Sequence, residues 1–385
     1  MTGTSCDGAD LALLELTRGR SGWTERLART ASQSFPPALR ARLRKAQRGK
    51  MSIRDTALLT RDYSEWIAGL CDRKLRAWKQ NRSSCLIAAH GQTVWHEPEN
   101  RVSVQLLDAA VVVARTGCTV AACFRQPDLA HGGEGAPLVP YYHWLRATTT
   151  HARLLPFAVH NVGGIANLTY VSAERDEVIA FDTGPGNALI DLATERATRG
   201  AQTFDRAGRL GASAASSIDW AAIRRLCARG YYAKRPPKST GRELFNEAYL
   251  KKIPGHGTTR IANATALTAY SMAKAYANFV LKGPRKVNAV FIAGGGARNP
   301  FLLSLFEREL ARLAGRSIPV AALPPDFAPS QFIEAMAFAR LGFEALGGRP
   351  VSLRSVTGSR ADALGAGLFP GPNYARLSKL VNDIG

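Results

Sequence analysis

The chain has 385 residues, 46% of them apolar and 21% charged. That length allows two domains with separate cores, and the ordinary charge density excludes wholesale disorder. A formal net charge of +21, from 51 Lys+Arg against 30 Asp+Glu, is the unusual number. It suits nucleic acid, an anionic membrane, an anionic small substrate, or simply an Arg-rich surface. No stretch approaches the roughly 20 apolar residues of a membrane span. MTGTSCDGAD lacks a basic segment followed by an apolar one, so secretion is not expected. The cysteines (Cys6, Cys71, Cys85, Cys118, Cys123 and Cys227) form neither a CxxC pair nor a metal-ligand spacing. They read as reduced thiols of a cytoplasmic protein.

Residues 9–17 (ADLALLELT) predict a strand directly after a Gly/Ser/Thr/Asp turn. Residues 36–82 predict helix, with two basic stretches, Arg40 to Lys50 and Arg73 to Arg82. Leu39, Leu43 and Ala46 fall at i, i+4 and i+7, so one face packs while the charges stay in water. The stretches hold one aromatic, Trp78, which argues against a single-stranded nucleic-acid platform. Short strands are expected at 85–89 (CLIAA) and 118–124 (CTVAACF). The Gly- and Pro-rich FRQPDLAHGGEGAPLVP that follows predicts a loop.

From Leu154 onward strands and helices alternate, which implies α/β architecture. LPFAVHN, GG and IANLTYVS read as strand, glycine turn and strand. VIAFDTGPGN and ALIDLATERA read as strand, loop and helix. A long helix is expected from about Ile261 to Leu281. VFIAGGGARNPFLLSLFEREL reads as strand, three glycines and a helix with Asn299 and Pro300 in its first turn. The glycine turns at 3–8 and 161–167 suggest a duplicated, two-lobed fold with a phosphate grip in each lobe.

Four loops combine glycine with polar residues: GTSCDGAD (3–10), NVGGIAN (161–167), FDTGPGN (181–187) and GGGARN (294–299). Glycine admits positive φ and close backbone approach, which turns N–H groups toward an anion. Together they favour a nucleotide-phosphate site, although none matches GxxxxGK[ST] or a strand-flanked GxGxxG. Asp182, expected at the end of an apolar strand and the mouth of a glycine loop, is the candidate acid–base residue. Glu334 reads equally as a cleft contact or a surface residue beside a core stripe. His90 and His96 lie six apart, not at the i, i+4 spacing of a helical metal pair, and no acidic ligand cluster lies nearby, so no metal site is expected. His90 is as compatible with a packed histidine as with a ligand contact. No GxSxG elbow is present, and no cysteine has a catalytic context. PPKSTGRELFN groups Lys238, Ser239, Thr240 and Arg242 in a donor-rich turn suited to an anion or to helix capping.

These motifs, with AAHGQTVWHEP, EAMAFARL and SVTGSRADALGAGLFPG, resemble in order the anhydro-N-acetylmuramic acid kinase family, across nearly the whole chain. The resemblance implies an α/β, two-lobed actin-like ATPase (ribonuclease H-like) fold with a nucleotide cleft between lobes. The lobes are expected at 1–150 and 151–385, with the extreme C-terminus allowed to pack back on the first. It implies a kinase of cell-wall recycling that uses ATP and Mg²⁺, opens the 1,6-anhydro bridge with water, and phosphorylates O6. Asp182 matches the family's catalytic aspartate. Gly3, Thr4, Ser5, Cys6, Asp7, Gly8, Ala9 and Asp10 would cradle phosphates, opposed by Gly163 and Gly164. Gly294, Gly295 and Gly296 would lie near the adenosine. His90, Gln92, Thr93 and Glu334 would meet the sugar, and Arg125 its lactyl carboxylate. No protein-held metal, specific nucleic acid or membrane partner is implied, and a homodimer is allowed. A kinase of another sugar and a degenerate nucleotide-binding paralogue are the alternatives. Met1 already stands in the first turn, so the strand that usually precedes it is expected upstream of this start. Cys123, where the family often has Asp, Pro127 and His131 are departures near the sugar segment, and the SVTGSRADALGAG tail is slightly shortened.

Overall fold

The computed structural model describes residues 1–3, 6–19, 22–329 and 331–382. The chain forms two compact units, Met1–Tyr142 with Gln331–Gly385, and His143–Ser330. In chain order the strands are β1 (Gly8–Gly19), β2 (Gly22–Ser34), β3 (Leu86–Ala88), β4 (Gln92–Glu97), β5 (Val102–Leu106) and β6 (Thr119–Ala122). They continue as β7 (Phe157–Val162), β8 (Ile165–Val171), β9 (Ile179–Pro185), β10 (Val290–Ala293), β11 (Val320–Ala322) and β12 (Gly367–Phe369). The α/β expectation holds.

In the first unit β1 and β2 form an antiparallel hairpin, with a register shift at Leu13/Leu14. The 36–82 expectation resolves into helices Pro37–Gln47 and Ile53–Ala77. Leu39, Leu43 and Ala46 are buried as their spacing requires. Ser52 caps the second helix by accepting from the Asp55 N–H, a contact that satisfies an otherwise orphaned donor. Strand β6 lies between β12 (antiparallel) and β3 (parallel). Helix Ile333–Leu346 crosses them at Gly342, where a Cβ would stand 3.0 Å from Ala88 Cβ and 3.1 Å from Ala121 Cβ. Gly342 is thus what lets this helix approach the strands.

These contacts group residues 331–382 with the first unit. Asn373 fastens them further: its Oδ1 accepts from Thr119 N (2.8 Å) and Oγ1 (2.7 Å), and its Nδ2 donates to Arg82 O and Cys85 O. The 124–140 segment, expected as loop throughout, includes a helix at Gln126–Ala130, with proline tolerated in its first turn.

Strands β1 and β3 are not hydrogen-bonded to each other. They line an apolar cavity of about 130 Å³ with Ile67 and Cys71. Met1 and Thr2 also line it, and Met1 N donates to Asp10 O while Asp10 N donates to Met1 O, both at 2.9 Å. Burial lowers the affinity of the Met1 ammonium for its proton.

The second unit is built on a five-stranded sheet in the order β11-β10-β7-β8-β9. Strands β11, β10 and β7 are parallel, and β7, β8 and β9 antiparallel. Helices Ala188–Ala197, Gly257–Ala275 and Pro300–Ala314 pack around a core that includes Leu189, Leu267, Tyr276 and Phe306. The expected 261–281 helix starts four residues earlier, and Tyr276–Val280 is a π turn. Asn299 caps Pro300–Ala314 by accepting from Leu302 N.

Because Asn373 satisfies two buried donors and two half-buried acceptors, Asn373→Ala is expected to destabilise the first unit by about 2–4 kcal/mol. A lowered midpoint in urea, monitored by Trp fluorescence, checks this.

Candidate active site

Two groups of candidate residues assemble, one in each unit. In the second unit β7 and β8 are joined by Gly163 and Gly164, and β10 runs parallel to β7, so Gly294–Gly296 leave the sheet at the same end. The two loops touch: Gly294 (φ 78) leaves no room for a Cβ beside Val162 O at 2.8 Å, and Gly296 none beside the Val162 side chain. Gly186 N and Ala188 N both donate to Gly164 O, and Asn187 N to Gly163 O, which fixes the start of helix Ala188–Ala197 on the turn. A Cβ at Gly163 or Gly295 would meet nothing nearer than 3.6 Å. Their backbones therefore face open space that a phosphate or a ribose could fill.

Asp182 lies inside β9, opposite Asn167, rather than at the strand's end, because pairing runs on to Pro185. The register shifts beside it, leaving Thr183 as the extra residue of a bulge, a device that re-aims side chains next to functional sites. Gly184 (φ 146) could carry no side chain, since a Cβ would come 2.9 Å from the Tyr232 ring. Three neighbours hold the aspartate. Thr240 N donates to its Oδ2 (2.9 Å), Tyr231 Oη to its carbonyl (2.7 Å), and its own N–H to Lys238 O (3.2 Å). The PPKSTGR turn therefore serves the aspartate directly, and Ser239 and Thr240 cap no helix.

Burial pushes the Asp182 carboxyl up to about 6, opposed by the Thr240 N–H and by Lys238, while Glu243 adds to the rise. Lys238 lies 4.8 Å from the ring centres of Tyr231 and Phe279, and burial lowers its ammonium to about 8. Near neutral pH both groups carry charge, in a site where the carboxylate is only weakly held. Asp191, one helix turn into Ala188–Ala197, is also raised to about 6 by burial, opposed by Arg242. The Arg242 guanidinium in turn lies against Gly164.

In the first unit Gly3 O accepts from Gln92 Nε2 (2.9 Å) and from Cys6 N (3.2 Å), so the first glycine turn rests on β4. Thr4 and Ser5 lie outside the described residues. Cys6 is buried with φ 56, and Asp7, exposed, faces Arg44 at 3.7 Å. Gly8 admits no Cβ beside Gln33 O, and Ala9 is buried in the hairpin. Asp10 accepts from Ser32 Oγ, which accepts from Gln331 Nε2 at 3.0 Å. Gly3, Asp7, Asp10, Ser32, Gln331 and Glu334 are among the residues that line a polar pocket of about 350 Å³.

His90 Nδ1 donates to Gly91 O (2.9 Å), and its Nε2 accepts from Arg125 Nε (3.1 Å). Burial and the nearby Arg125 hold His90 neutral, which fits that donor–acceptor pattern. Arg125 also donates to Gly135 O, and burial lowers its pKa to about 10. Burial raises the carboxyl of Glu334, on the first turn of its helix, and the charge of Arg125 opposes that rise. Gln92 Oε1 is buried without a partner among the described residues. Thr93 stands beside it on β4 with its hydroxyl 3.4 Å from Gln105 Nε2. Sequence reasoning did not select Ser32, Gln331, Tyr231 or Asp191. Only Asp191 offered a signal, within the FDTGPGNALID run.

A carboxylate raised to about 6 by burial, glycine turns with open space before their backbones, and a separate polar pocket are features of an enzyme site. The family model described as Anhydro-N-acetylmuramic acid kinase matches residues 1–371. The Anhydro-N-acetylmuramic acid kinase of Gloeobacter violaceus is 36% identical over 382 residues, covering 95% of this chain and 96% of its own. That of Ralstonia nicotianae is 38% identical over 399 residues, covering 96% of each. The chain belongs to the anhydro-N-acetylmuramic acid kinase family. Among solved structures, hexokinase from Schistosoma mansoni complexed with glucose aligns with a TM-score of 0.36 at 11% identity, over 88% of this chain and 87% of that one.

The raised Asp182 pKa has a stability consequence. Its stabilising contribution is largest below the unfolded value near 4, declines as pH rises to about 6, and stays lost above that. Asp182→Asn is therefore expected to melt higher than the parent at pH 8, by roughly 2–4 °C, with the gap closing toward pH 4. Thermal denaturation at the two pH values checks it.

Proposed function

We propose that the enzyme uses ATP to convert anhydro-N-acetylmuramic acid and water into N-acetylmuramic acid 6-phosphate, as a cytoplasmic step of cell-wall recycling. The observation that carries this reading is the Asp182 carboxyl, ionised above about 6, with Oδ2 held by the Thr240 N–H. Among the described residues Oδ1 has no hydrogen bond, which leaves it to take a proton from water.

In this scheme Asp182 removes a proton from the water whose oxygen bonds to the anomeric carbon. The bond from that carbon to O6 breaks, and its electron pair stays on O6. O6 then bonds to the γ-phosphorus while the bridging P–O bond breaks, and ADP leaves. The proton held by Asp182 returns to solvent. Gly163 and Gly164 support the phosphates through backbone N–H groups, and Gly294–Gly296 support the adenosine. Gly3 and Cys6 to Asp10 offer a second phosphate grip, and Arg125, Glu334 and Gln92 offer polar contacts to the sugar. Positioning of this kind dominates phosphoryl transfer.

Among the described residues no three His, Cys, Asp or Glu side chains gather as a metal site. Mg²⁺ is usually bound by substrate phosphates with one or two carboxylates, and Asp7 and Asp10 are the carboxylates nearest the first grip. Bound there, it would neutralise phosphate charge.

Incubation with ATP, Mg²⁺ and the anhydro sugar in ¹⁸O-water is expected to yield the 6-phosphate with label at the anomeric hydroxyl, read by mass spectrometry. Asp182→Asn is expected to lower kcat at least a thousandfold while ADP binding persists. The parent's kcat should fall tenfold per pH unit on the acid side of about 6. An unlabelled product, or an active Asp182→Asn enzyme, would contradict the reading.

A further inference from the structure

After helix Ala188–Ala197 the chain makes a loop, 201–211, that the reaction above does not use. The loop is braced at both ends. Gln202 N donates to Thr198 Oγ1 (3.0 Å), and the buried Asp205 accepts from Leu210 N and Gly211 N, each at 2.9 Å. Ala207 and Gly208 take left-handed φ of 54° and 66° in succession. Gly208 lies so close to Asn299 Oδ1 that no Cβ would fit, and a Cβ there would stand 2.8 Å from Phe301 Cβ. Asn299 is the cap of the helix that directly follows Gly294–Gly296. The loop is thereby locked against the end of the glycine segment assigned to adenosine.

On this braced loop Phe204 is 52% exposed. It lines a cavity of about 500 Å³ together with Gln202, Arg206 and Arg209, and the cavity's one carboxylate, Asp205, is already engaged by backbone N–H groups. A lone exposed Phe is unremarkable on a surface. An exposed ring held on a rigid loop, beside two guanidiniums and a pocket wide enough for a purine, has the chemistry of a base-stacking wall.

We propose that Phe204 is the stacking platform for the nucleobase of the phosphoryl donor, with Arg206 and Arg209 flanking the purine face and edge. This rests on the reading of the chain as a nucleotide-dependent kinase. Phe204 thus sets donor specificity: a purine triphosphate stacks well and a pyrimidine triphosphate poorly, while the glycine turns bind either one's phosphates.

Steady-state kinetics with ATP and CTP test this on the parent and Phe204→Ala. The variant is expected to raise KM for ATP ten- to a hundredfold, leave kcat and the KM of the sugar unchanged, and shrink the preference for ATP over CTP. Phe204→Tyr should restore the parent values. An unchanged KM and preference in an active Phe204→Ala enzyme would overturn the proposal and leave the kinase reading standing. Should the parent show no turnover, the kinase reading fails first. ADP titrated into Phe204→Trp then decides the stacking claim: saturable Trp quenching supports it, and its absence overturns it.

Discussion

The proposed chemistry depends on one arrangement, a carboxylate partly withdrawn from water at a bulge in the second unit's edge strand. Withdrawal raises the Asp182 pKa to about 6, which makes it a better base than a solvated aspartate yet leaves it ionised at neutral pH. One backbone donor, Thr240 N–H, and one half-buried ammonium, Lys238, keep that rise from going further. Without them burial alone would drive the carboxyl toward a protonated state that cannot accept a proton from water. Lys238 lies over the rings of Phe181, Tyr231 and Phe279, and its ammonium donates to Tyr231 O.

The sheet supplies the rest. Parallel pairing of β7 and β10 brings Gly163, Gly164 and Gly294–Gly296 to one sheet end, although well over a hundred residues separate them in sequence. Asp182, two strands away on β9, is oriented by the bulge at Thr183, which binds His160 Nε2 at 3.0 Å beneath it. Burial lowers His160 to about 3, so this support is neutral across the working pH range. In the first unit the glycine turn instead rests on side chains, with Gln92 on Gly3 O and Thr2 on Gly91 O.

Much of this was legible in the sequence because it is carried by runs of local pattern. The glycine turns, the strand into FDTG, a helix opening around Asn299 and Pro300, and the Leu39/Leu43/Ala46 face all follow from residue type and spacing. What was not legible depends on distant partners. Strand β2, GWTERLARTASQS, is too polar to read as a strand until β1 pairs with it and Trp23 packs on Phe343 at 5.0 Å. The bulge at Asp182 and the Thr240 donor arise only when β9 meets β8 and a turn more than fifty residues downstream. The same holds for the charge of +21, in which the 51 basic residues are 39 Arg and 12 Lys. Some of those arginines are structural: Arg340, nearly buried, joins Glu344 at 2.6 Å and Glu25 at 3.3 Å, and Arg349 joins the same Glu344. The exposed remainder is surface composition, where single ion pairs contribute little.

The direct test of the central claim is the ionisation of Asp182 itself in the nucleotide-free protein. Carboxyl ¹³C resonances of aspartate-labelled protein, with Asp182 assigned by its loss in Asp182→Asn, would be followed from pH 3 to pH 9. A midpoint near 6 is the predicted result. A midpoint near 4, the value of a solvated aspartate, would contradict the account of a desolvated base.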